Sequence, residues 1–326
     1  MTSELAMRGL VTVFGGSGFV GRHTVRALAR RGWRIRVACR RPDLAGHLQP
    51  MGRVGQIHAV QANVRNPDSV RQAVEGADAV VNLVAILAPS GQQTFEAVHV
   101  TGARAVAKAA ADISAKQLVH VSAIGADLKS GGRYGKTKAE GERAVLEAFP
   151  SAVILRPSIV FGPEDDFFNR FAALARMAPV MPLIGGRTKF QPVYVGDVAA
   201  AIAVACDGQA APGTTYELGG PQVFTFRKLL DRTQEWTGRD RPYLPVPFWL
   251  ASLGATLTAP LPAGLRPLTT DQVRMLRRDN VVSEEAAREG RTLQSLGIET
   301  PHAIESIVPG YLEQFKPKGQ YSHYRG

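Results

Sequence analysis

A glycine loop between a strand and a helix constrains this chain more than any other feature of its sequence. The loop, GGSGFVG, starts at Gly15, follows the apolar run Leu10–Phe14 and opens a helical pattern over residues 19–31. In this context Gly15 allows a tight turn, Gly18 lets the backbone approach a pyrophosphate, and Gly21 allows helix and strand to pack closely. The free N–H groups and the dipole at the helix start attract negative charge. The loop therefore predicts a site for nucleotide phosphates.

Strands and helices alternate through the first half of the chain. Runs such as AVVNLV at 79–84 and QLVHV at 117–121 are apolar on nearly both faces, which is typical of a parallel sheet covered by helices on both sides. Repeated strand–helix units with right-handed crossovers predict an α/β fold with a doubly wound parallel sheet. The predicted strands are 10–14, 34–39, 56–60, 79–84, 117–121 and 152–155, and the predicted helices are 19–31, 67–75, 94–112 and 134–149.

The regular alternation ends near residue 160, where proline and glycine become frequent. Short strands are predicted within 190–195 and 214–218, and short helices broken by prolines dominate from residue 221. The predicted division is a nucleotide-binding domain over 1–220, of which 161–189 contributes to a smaller domain, a mainly helical C-terminal docking domain over 221–326, and an extended or disordered tail over 316–326.

The balance of charge is strongly basic. The chain has 326 residues, a formal net charge of +11 and a sequence pI near 10.0. Its first fifty residues carry nine arginines against Glu4 and Asp43, a local excess of +7. These arginines are not interleaved with aromatic residues and no nucleic-acid-binding motif is present, so we expect no nucleic acid partner. An acidic partner, anionic lipid headgroups and a solvated basic surface stay open.

Cysteine usage and hydropathy limit the remaining classes. Cys39 and Cys206 lie far apart without metal-ligand spacing, which predicts no metal site and suits a reducing compartment. No apolar run of signal-peptide length precedes the first strand. The most apolar segment, 248–259, is shorter than the about 20 residues that span a bilayer. It predicts a helix that is either buried, the interpretation we favour, or a docking surface for a membrane or a partner protein.

The end of the second strand predicts which nucleotide binds. An acidic residue there would bond the 2′-hydroxyl of NAD, but the chain has Cys39, Arg40 and Arg41. Guanidinium groups bind phosphate through charge-assisted, bidentate hydrogen bonds. We therefore predict NADP(H) in preference to NAD(H), with solvent-facing arginines as the alternative. Asn63 and Val64, after the third strand, are placed to contact the adenine.

Several further stretches carry a resemblance to a known family. They are Val13–Gly21, Val119–Ala126, Arg156–Asp165, Phe167–Phe171, Gln191–Val195, Asp271–Val273, Asp279–Val282, Leu296–Ile298 and Tyr311–Leu312. Together they resemble one branch of the atypical short-chain dehydrogenase/reductases, the NADPH-binding accessory subunit of respiratory complex I and its bacterial homologues. The resemblance covers nearly the whole chain, and its later stretches are the more specific because reductases at large do not share them.

The resemblance implies a Rossmann fold and a tightly held NADPH that takes no part in NADH-driven electron transfer. It also implies a peripheral position near the junction of the peripheral and membrane arms, on the cytoplasmic face of a bacterial inner membrane or the matrix side of a mitochondrial one. The implied partners are other complex I subunits and the membrane surface or anionic lipid, with no homo-oligomer. Two rivals stay open, namely a free NADPH-dependent reductase or epimerase and an NADP(H)-sensing regulator.

The resemblance also assigns roles to residues around the helix after the fifth strand. Tyr134 and Lys138 have the Tyr-x-x-x-Lys spacing in which active reductases protonate a substrate carbonyl and hold the ribose. The position where such enzymes carry a carbonyl-polarising Ser or Thr holds Ile124, and His99 stands where extended members carry Asn. The pair is therefore expected to be degenerate. The implied cofactor residues are Gly15, Ser17, Gly18, Phe19, Val20, Arg40, Arg41, Asn63, Val64, Val84, Ala85, Val121, Ser122, Tyr134, Lys138, Pro157, Ser158 and Ile159.

Overall fold

The computed structural model describes residues 8–258 and 269–317, and these form two compact units. The first unit contains the chain up to Pro157, together with Val195–Leu218 and Ser283–Glu299. The second contains Ser158–Tyr194, Gly219–Val282 and the described residues from Thr300 onward. Most of the predicted tail, residues 318–326, lies outside the described residues.

A seven-stranded parallel sheet organises the first unit. Its strand order is β11-β6-β5-β4-β1-β2-β3, which confirms the doubly wound prediction. The strands of the chain are β1 (Leu10–Phe14), β2 (Arg34–Cys39), β3 (Ile57–Gln61), β4 (Ala79–Asn82), β5 (Gln117–Val121), β6 (Val153–Pro157), β7 (Val160–Phe161), β8 (Met181–Leu183), β9 (Lys189–Phe190), β10 (Val193–Tyr194), β11 (Thr215–Leu218), β12 (Phe224–Thr225) and β13 (Tyr243–Pro245).

Helices connect the strands as the apolar periodicity predicts. In α2, for example, Asn66 accepts hydrogen bonds from the backbone N–H groups of Asp68 and Ser69, and Pro67 takes the first helical position. The helices are α1 (Phe19–Arg30), α2 (Pro67–Val74), α3 (Ala103–Asp112), α4 (Arg133–Ala148), α5 (Phe168–Met177), α6 (Val195–Cys206), α7 (Phe226–Trp236), α8 (Phe248–Leu257), α9 (Thr270–Met275), α10 (Glu284–Arg288) and α11 (Ile304–Leu312).

The prediction of one α-helix over 94–112 is wrong in its first part. Residues Glu96–Gly102 form a π-helical segment, and the α-helix starts only at Ala103. A Cβ atom on Gly141 of α4 would lie 2.1 Å from the carbonyl oxygen of His99. Because Gly141 has no side chain, α4 can pack closely against the backbone of the π-helical segment. Such π-helical turns are frequent at functional sites.

The second unit packs around aromatic side chains. Phe161, Phe168, Phe190 and Phe226 are buried in its core, and Phe161 and Phe168 meet edge to face at a centroid distance of 6.1 Å. Polar ties join three of the stretches that carry the family resemblance. Ser158 Oγ donates to Asn280 Oδ1 over 2.7 Å, and the amide of Gln191 accepts from Val282 N–H over 3.0 Å. Residues of these three stretches therefore contribute hydrogen bonds that stabilise the second unit.

Burial of the apolar segment at 248–257 is contradicted by the structure. In α8, Trp249 is 68% exposed and Leu257 71%, and Leu250 and Leu253 are also exposed, whereas Ala255 is buried. Nearly every position of this helix is apolar or small, so apolar side chains lie on all of its faces. Packing one face against the rest of the unit therefore leaves the apolar side chains of the other faces exposed. Residue 259 of the predicted helix lies outside the described residues.

Candidate functional site

A cleft lies where the strand order of the sheet reverses, between the carboxyl ends of β1 and β4. Parallel α/β sheets bind ligands at this switch point, because the connections leave the sheet in opposite directions there. All of the lining residues belong to the first unit. They are Phe14, Gly15, Ser17, Gly18, Ala38, Cys39, Arg40, Ala62, Asn63, Val64, Arg65, Leu83, Val84, Ala85, Ile86, Gln93 and Val98.

The glycine loop forms one wall of the cleft. Gly15 has φ +80°, a left-handed conformation that favours glycine, and its N–H donates to the carbonyl of Ala38 on the neighbouring strand. A Cβ atom on Gly21 would lie only 2.2 Å from the carbonyl oxygen of Gly15. Gly18 is the N-cap of α1, and no side chain caps that helix end. The first N–H groups of α1, including those of Phe19 and Val20, therefore need an acceptor from outside the helix.

Two of the predicted residues, Arg40 and Asn63, lie at the adenosine end of the cleft. The Arg40 guanidinium donates to Gln93 Oε1 over 2.6 Å, and Asn63 Oδ1 accepts from the N–H of Arg65 over 3.1 Å. Arg41 instead points to Asp43, which accepts from its Nε and Nη2 over 3.0 and 2.8 Å. Arg41 does not line the cleft.

Two neutral histidines fix the loop that follows β4. His99 Nε2 accepts from the N–H of Ile86 over 3.1 Å, and its Nδ1 lies 3.1 Å from the Thr137 hydroxyl. Burial lowers the pKa of His99 to about 3. His120 lies 3.2 Å from the Asn82 amide, and burial lowers its pKa well below the usual value. Both rings therefore stay uncharged and serve as fixed hydrogen-bonding groups.

Tyr134 and Lys138 share one face of α4 but lack the electrostatics of an active pair. The Tyr134 ring packs edge to face on His99 at a centroid distance of 5.5 Å, and burial raises the pKa of its hydroxyl to about 12. Lys138 is buried, its Nζ donates to the carbonyl of Val121 over 2.9 Å, and burial lowers its pKa to about 8. A tyrosine with a raised pKa is a poorer acid than an activated one.

The residues after β5 test whether a nucleotide fits. Ser122 is 5% exposed, and within residues 8–258 and 269–317 its hydroxyl has no hydrogen-bond partner. A buried hydroxyl without a partner is costly, so a polar ligand group beside it would remove that cost. Ile124 is also buried, and an apolar side chain cannot polarise a carbonyl. The glycine loop, the helix start and Ser122 thus fit a dinucleotide, while Ile124 does not fit carbonyl chemistry.

The structure brings only part of the predicted cofactor set to the cleft. Ser158 lies in the second unit, where its hydroxyl donates to Asn280, and Ile159 lies in the same unit. Arg65 and Gln93 also line the cleft, although the sequence did not predict either of them there. Arg65 directly follows the predicted Val64, whereas no pattern marks Gln93. The predicted residues that line the cleft are Gly15, Ser17, Gly18, Arg40, Asn63, Val64, Val84 and Ala85, and those that do not are Phe19, Val20, Arg41, Val121, Ser122, Tyr134, Lys138, Pro157, Ser158 and Ile159.

The buried histidines predict acid sensitivity. In the unfolded chain a histidine has a pKa of about 6.5, so below that pH the unfolded state binds a proton that folded His99 refuses, and stability falls with pH. For His99 alone the loss at pH 5 is about 2 kcal/mol. Urea unfolding at pH 7.5 and pH 5.0 should show a smaller loss for His99→Asn than for the wild type. The exposed His58, changed to Asn, is the control, and an unchanged pH dependence in His99→Asn would contradict the assignment.

The comparisons with known proteins agree with this geometry. The model of the NAD dependent epimerase/dehydratase family matches residues 11–219. The fold is that of an NADPH-dependent quinone oxidoreductase from Escherichia coli solved with NADPH, with a TM-score of 0.72 and 20% identity, covering 93% of this chain and 99% of that one. The class is therefore a Rossmann-fold protein of the epimerase and short-chain reductase type.

More similar relatives narrow this class. Subunit 9 of the mitochondrial NADH dehydrogenase [ubiquinone] 1 alpha subcomplex of Arabidopsis thaliana is 35% identical, covering 95% of this chain and 79% of the relative. The mitochondrial NADH-ubiquinone oxidoreductase 40 kDa subunit of Neurospora crassa is 29% identical, covering 95% and 80%. The chain belongs to this family of complex I subunits, a branch of the epimerase/dehydratase family.

The length and hydropathy of the described helices determine whether any of them could cross a membrane. Within residues 8–258 and 269–317, no helix has the length and apolar character needed to cross a bilayer.

Proposed function

We propose that this chain is an accessory subunit of a proton-pumping NADH:quinone oxidoreductase and holds NADP(H) as a structural cofactor. The observation that carries the proposal is the 35% identity to a complex I subunit over 95% of the chain. The glycine loop in the wall of the cleft adds physical support, and so does the buried Ser122 hydroxyl after β5, which has no hydrogen-bond partner among the described residues. A nucleotide that binds only the folded state stabilises that state by mass action.

The residues at the nicotinamide end favour binding over turnover. Tyr134 is not activated, Lys138 is engaged by the Val121 carbonyl, and Ile124 stands where a carbonyl-polarising hydroxyl would be needed. In this proposal Lys138 and Ser122 hold the nicotinamide ribose. The bound nucleotide would supply hydride chemistry to a free reductase, the main alternative, but the apolar Ile124 could not polarise the carbonyl of a second substrate.

The experiment that tests the proposal is native-gel migration of the tagged chain from gently solubilised membranes of its own organism, with in-gel NADH dehydrogenase staining. Co-migration with the large NADH-oxidising band supports a complex I subunit. The nucleotide released from that band should be NADP(H) in near one-to-one amount. Migration of the chain only near its own 35.0 kDa, in the soluble fraction, would return a free reductase or an NADP(H) sensor to the lead.

We further propose that α8 docks on an anionic membrane surface and so places the subunit peripherally, on the cytoplasmic or matrix side. Its exposed Trp249, Leu253 and Leu257 suit the boundary between headgroups and acyl chains, where tryptophan is favoured. Basic side chains lie beside them: the Arg277 guanidinium sits 5.1 Å from the ring centroid of Phe248, and Arg274 is exposed on α9. A mixed apolar and cationic surface complements anionic lipid.

Vesicle binding tests this surface. The double change Trp249→Ser and Leu253→Ser should weaken binding to anionic vesicles about a hundredfold, because each side chain is worth about 1.5 kcal/mol or more when buried. NADPH affinity should not change. The fully exposed Val54, changed to Ser, is the matched control in the first unit. If the double variant binds vesicles normally but fails to enter the complex, α8 contacts a protein subunit instead.

A further inference from the structure

The adenosine end of the cleft holds two guanidinium groups from neighbouring strands. Arg40 follows β2 and Arg65 lies four residues after the end of β3. These strands are paired through Cys39 and Gln61, and the N–H of Ala62 donates to the carbonyl of Cys39 over 2.9 Å. Both arginines line the cleft, so the sheet itself brings their charges to one edge.

One loop holds both guanidinium groups through neutral amides. Arg40 Nη1 donates to Gln93 Oε1 over 2.6 Å, and Arg65 Nη1 donates to Gln92 Oε1 over 3.2 Å. Ser90 and Gln93 close this loop with two backbone hydrogen bonds of 3.1 and 3.0 Å. We call Ser90–Gln93 the glutamine loop. Arg65 Nη1 also lies 3.4 Å from the Gln92 carbonyl oxygen, a long contact, so the shorter hydrogen bonds of both arginines are to side-chain amides that a stronger acceptor can displace.

Arg41 is in a different electrostatic situation. The Asp43 carboxylate accepts two hydrogen bonds from its guanidinium, and this interaction raises the pKa of Arg41 and lowers that of Asp43. In the described part of the chain neither Arg40 nor Arg65 pairs with a carboxylate. Their positive charges therefore stay available to an anion, whereas the charge of Arg41 is already compensated.

We propose that Arg40 and Arg65 together bind the 2′-phosphate of NADP(H), and that the glutamine loop holds both side chains until the phosphate displaces Gln92 and Gln93. The inference rests on the proposed nucleotide function and adds Arg65 and the glutamine loop to it. A phosphate dianion accepts charge-assisted hydrogen bonds that are roughly twice as strong as those to a neutral amide. The exchange is therefore favourable, and it selects against NADH, which cannot displace the amides.

The test compares the NADPH and NADH affinities of variants by titration calorimetry on protein freed of nucleotide. Arg40→Gln and Arg65→Gln should each weaken NADPH binding about tenfold to a hundredfold and leave NADH binding unchanged. Arg41→Gln, the matched control in the same strand end, should change NADPH affinity less than threefold or so. Unchanged NADH affinity shows that each variant still forms the cleft.

A second variant tests the displacement. Gln93→Ala frees Arg40 in the empty protein, so NADPH should bind about twofold to tenfold more tightly while NADH affinity stays constant. If Arg41→Gln rather than Arg65→Gln abolishes the preference, or if Gln93→Ala leaves NADPH affinity unchanged, the inference is overturned. If the wild type binds NADH and NADPH equally, the proposed preference for NADP(H) itself is wrong, independently of these variants.

Discussion

The substitution Gly21→Ala is expected to prevent normal folding of the first unit. The added Cβ would lie 2.2 Å from the Gly15 carbonyl oxygen and 2.6 Å from the backbone of Gly16. Both neighbours are backbone atoms of the tight turn, so no side chain can rotate away. We expect the free energy of unfolding to fall by about 3 kcal/mol or more, at the upper end for overpacked sites. Thermal unfolding and the soluble yield measure this directly.

Substitutions at two other glycines distinguish an effect on folding from an effect on nucleotide binding. A Cβ atom on Gly18 would meet its nearest neighbour, the Gly15 carbonyl oxygen, at an ordinary 3.4 Å, so Gly18→Ala should fold normally but bind NADPH less tightly. Gly46 has open space around it, and Gly46→Ala should change neither property. A stable Gly21→Ala would show that the turn can shift, and the packing argument would then fail.

The second large effect is expected from Glu142→Gln. Glu142 is buried on α4 and accepts from Arg156 Nε and Nη2 over 2.9 and 2.6 Å, while Glu217 lies 3.7 Å from the same guanidinium. The change removes the closer, bidentate partner of Arg156 and leaves Glu217 to compensate the guanidinium in part, so we expect a loss of roughly 2–3 kcal/mol, below the about 3–5 kcal/mol of a buried pair broken completely. Urea unfolding should therefore show a large loss of stability at neutral pH.

The substitution Glu142→Gln should also lower the pKa of Lys138. The negative charge of Glu142 raises the pKa of Lys138 against the lowering effect of burial, which leaves it at about 8. Without that charge the pKa of Lys138 falls further, so a smaller fraction of the lysine that holds the ribose in our proposal is protonated at neutral pH. The control is Glu147→Gln on the same helix, whose exposed pairs at 3.4 and 3.9 Å should contribute less than about 1 kcal/mol. Equal losses in both variants would contradict the buried network.

The two proposals about the nucleotide differ in what they need. A structural cofactor needs only an intact cleft and tight binding, which the glycine loop of the cleft and the buried Ser122 hydroxyl after β5 support. Selection of NADP(H) needs a 2′-phosphate site, for which the contacts of Arg40 and Arg65 are the support. The NADPH affinity of Gly18→Ala and the NADPH preference of Arg65→Gln can therefore fail separately.

The central sheet and the glycine loop could both be predicted from the residue pattern. The bounds of β1, β2 and β5 are those predicted, because short apolar runs between turn residues leave few alternatives for a buried parallel strand. The left-handed φ of Gly15 and the close approach at Gly21 also follow from local backbone sterics. Such features depend on neighbours in the chain, and the sequence shows those neighbours directly.

Features that depend on residues distant in the chain became visible only in the folded molecule. The π-helical turn at Glu96–Gly102 packs closely against α4 at Gly141, and α8 is exposed because the described part of the second unit leaves Trp249 and Leu257 uncovered. In the sequence Arg40 and Arg41 are equivalent candidates for the phosphate site, but in the structure Asp43 binds Arg41. Gln93, the partner of Arg40, belongs to no recognisable motif. Side-chain partners across a cleft are set by packing, and a linear pattern does not encode them.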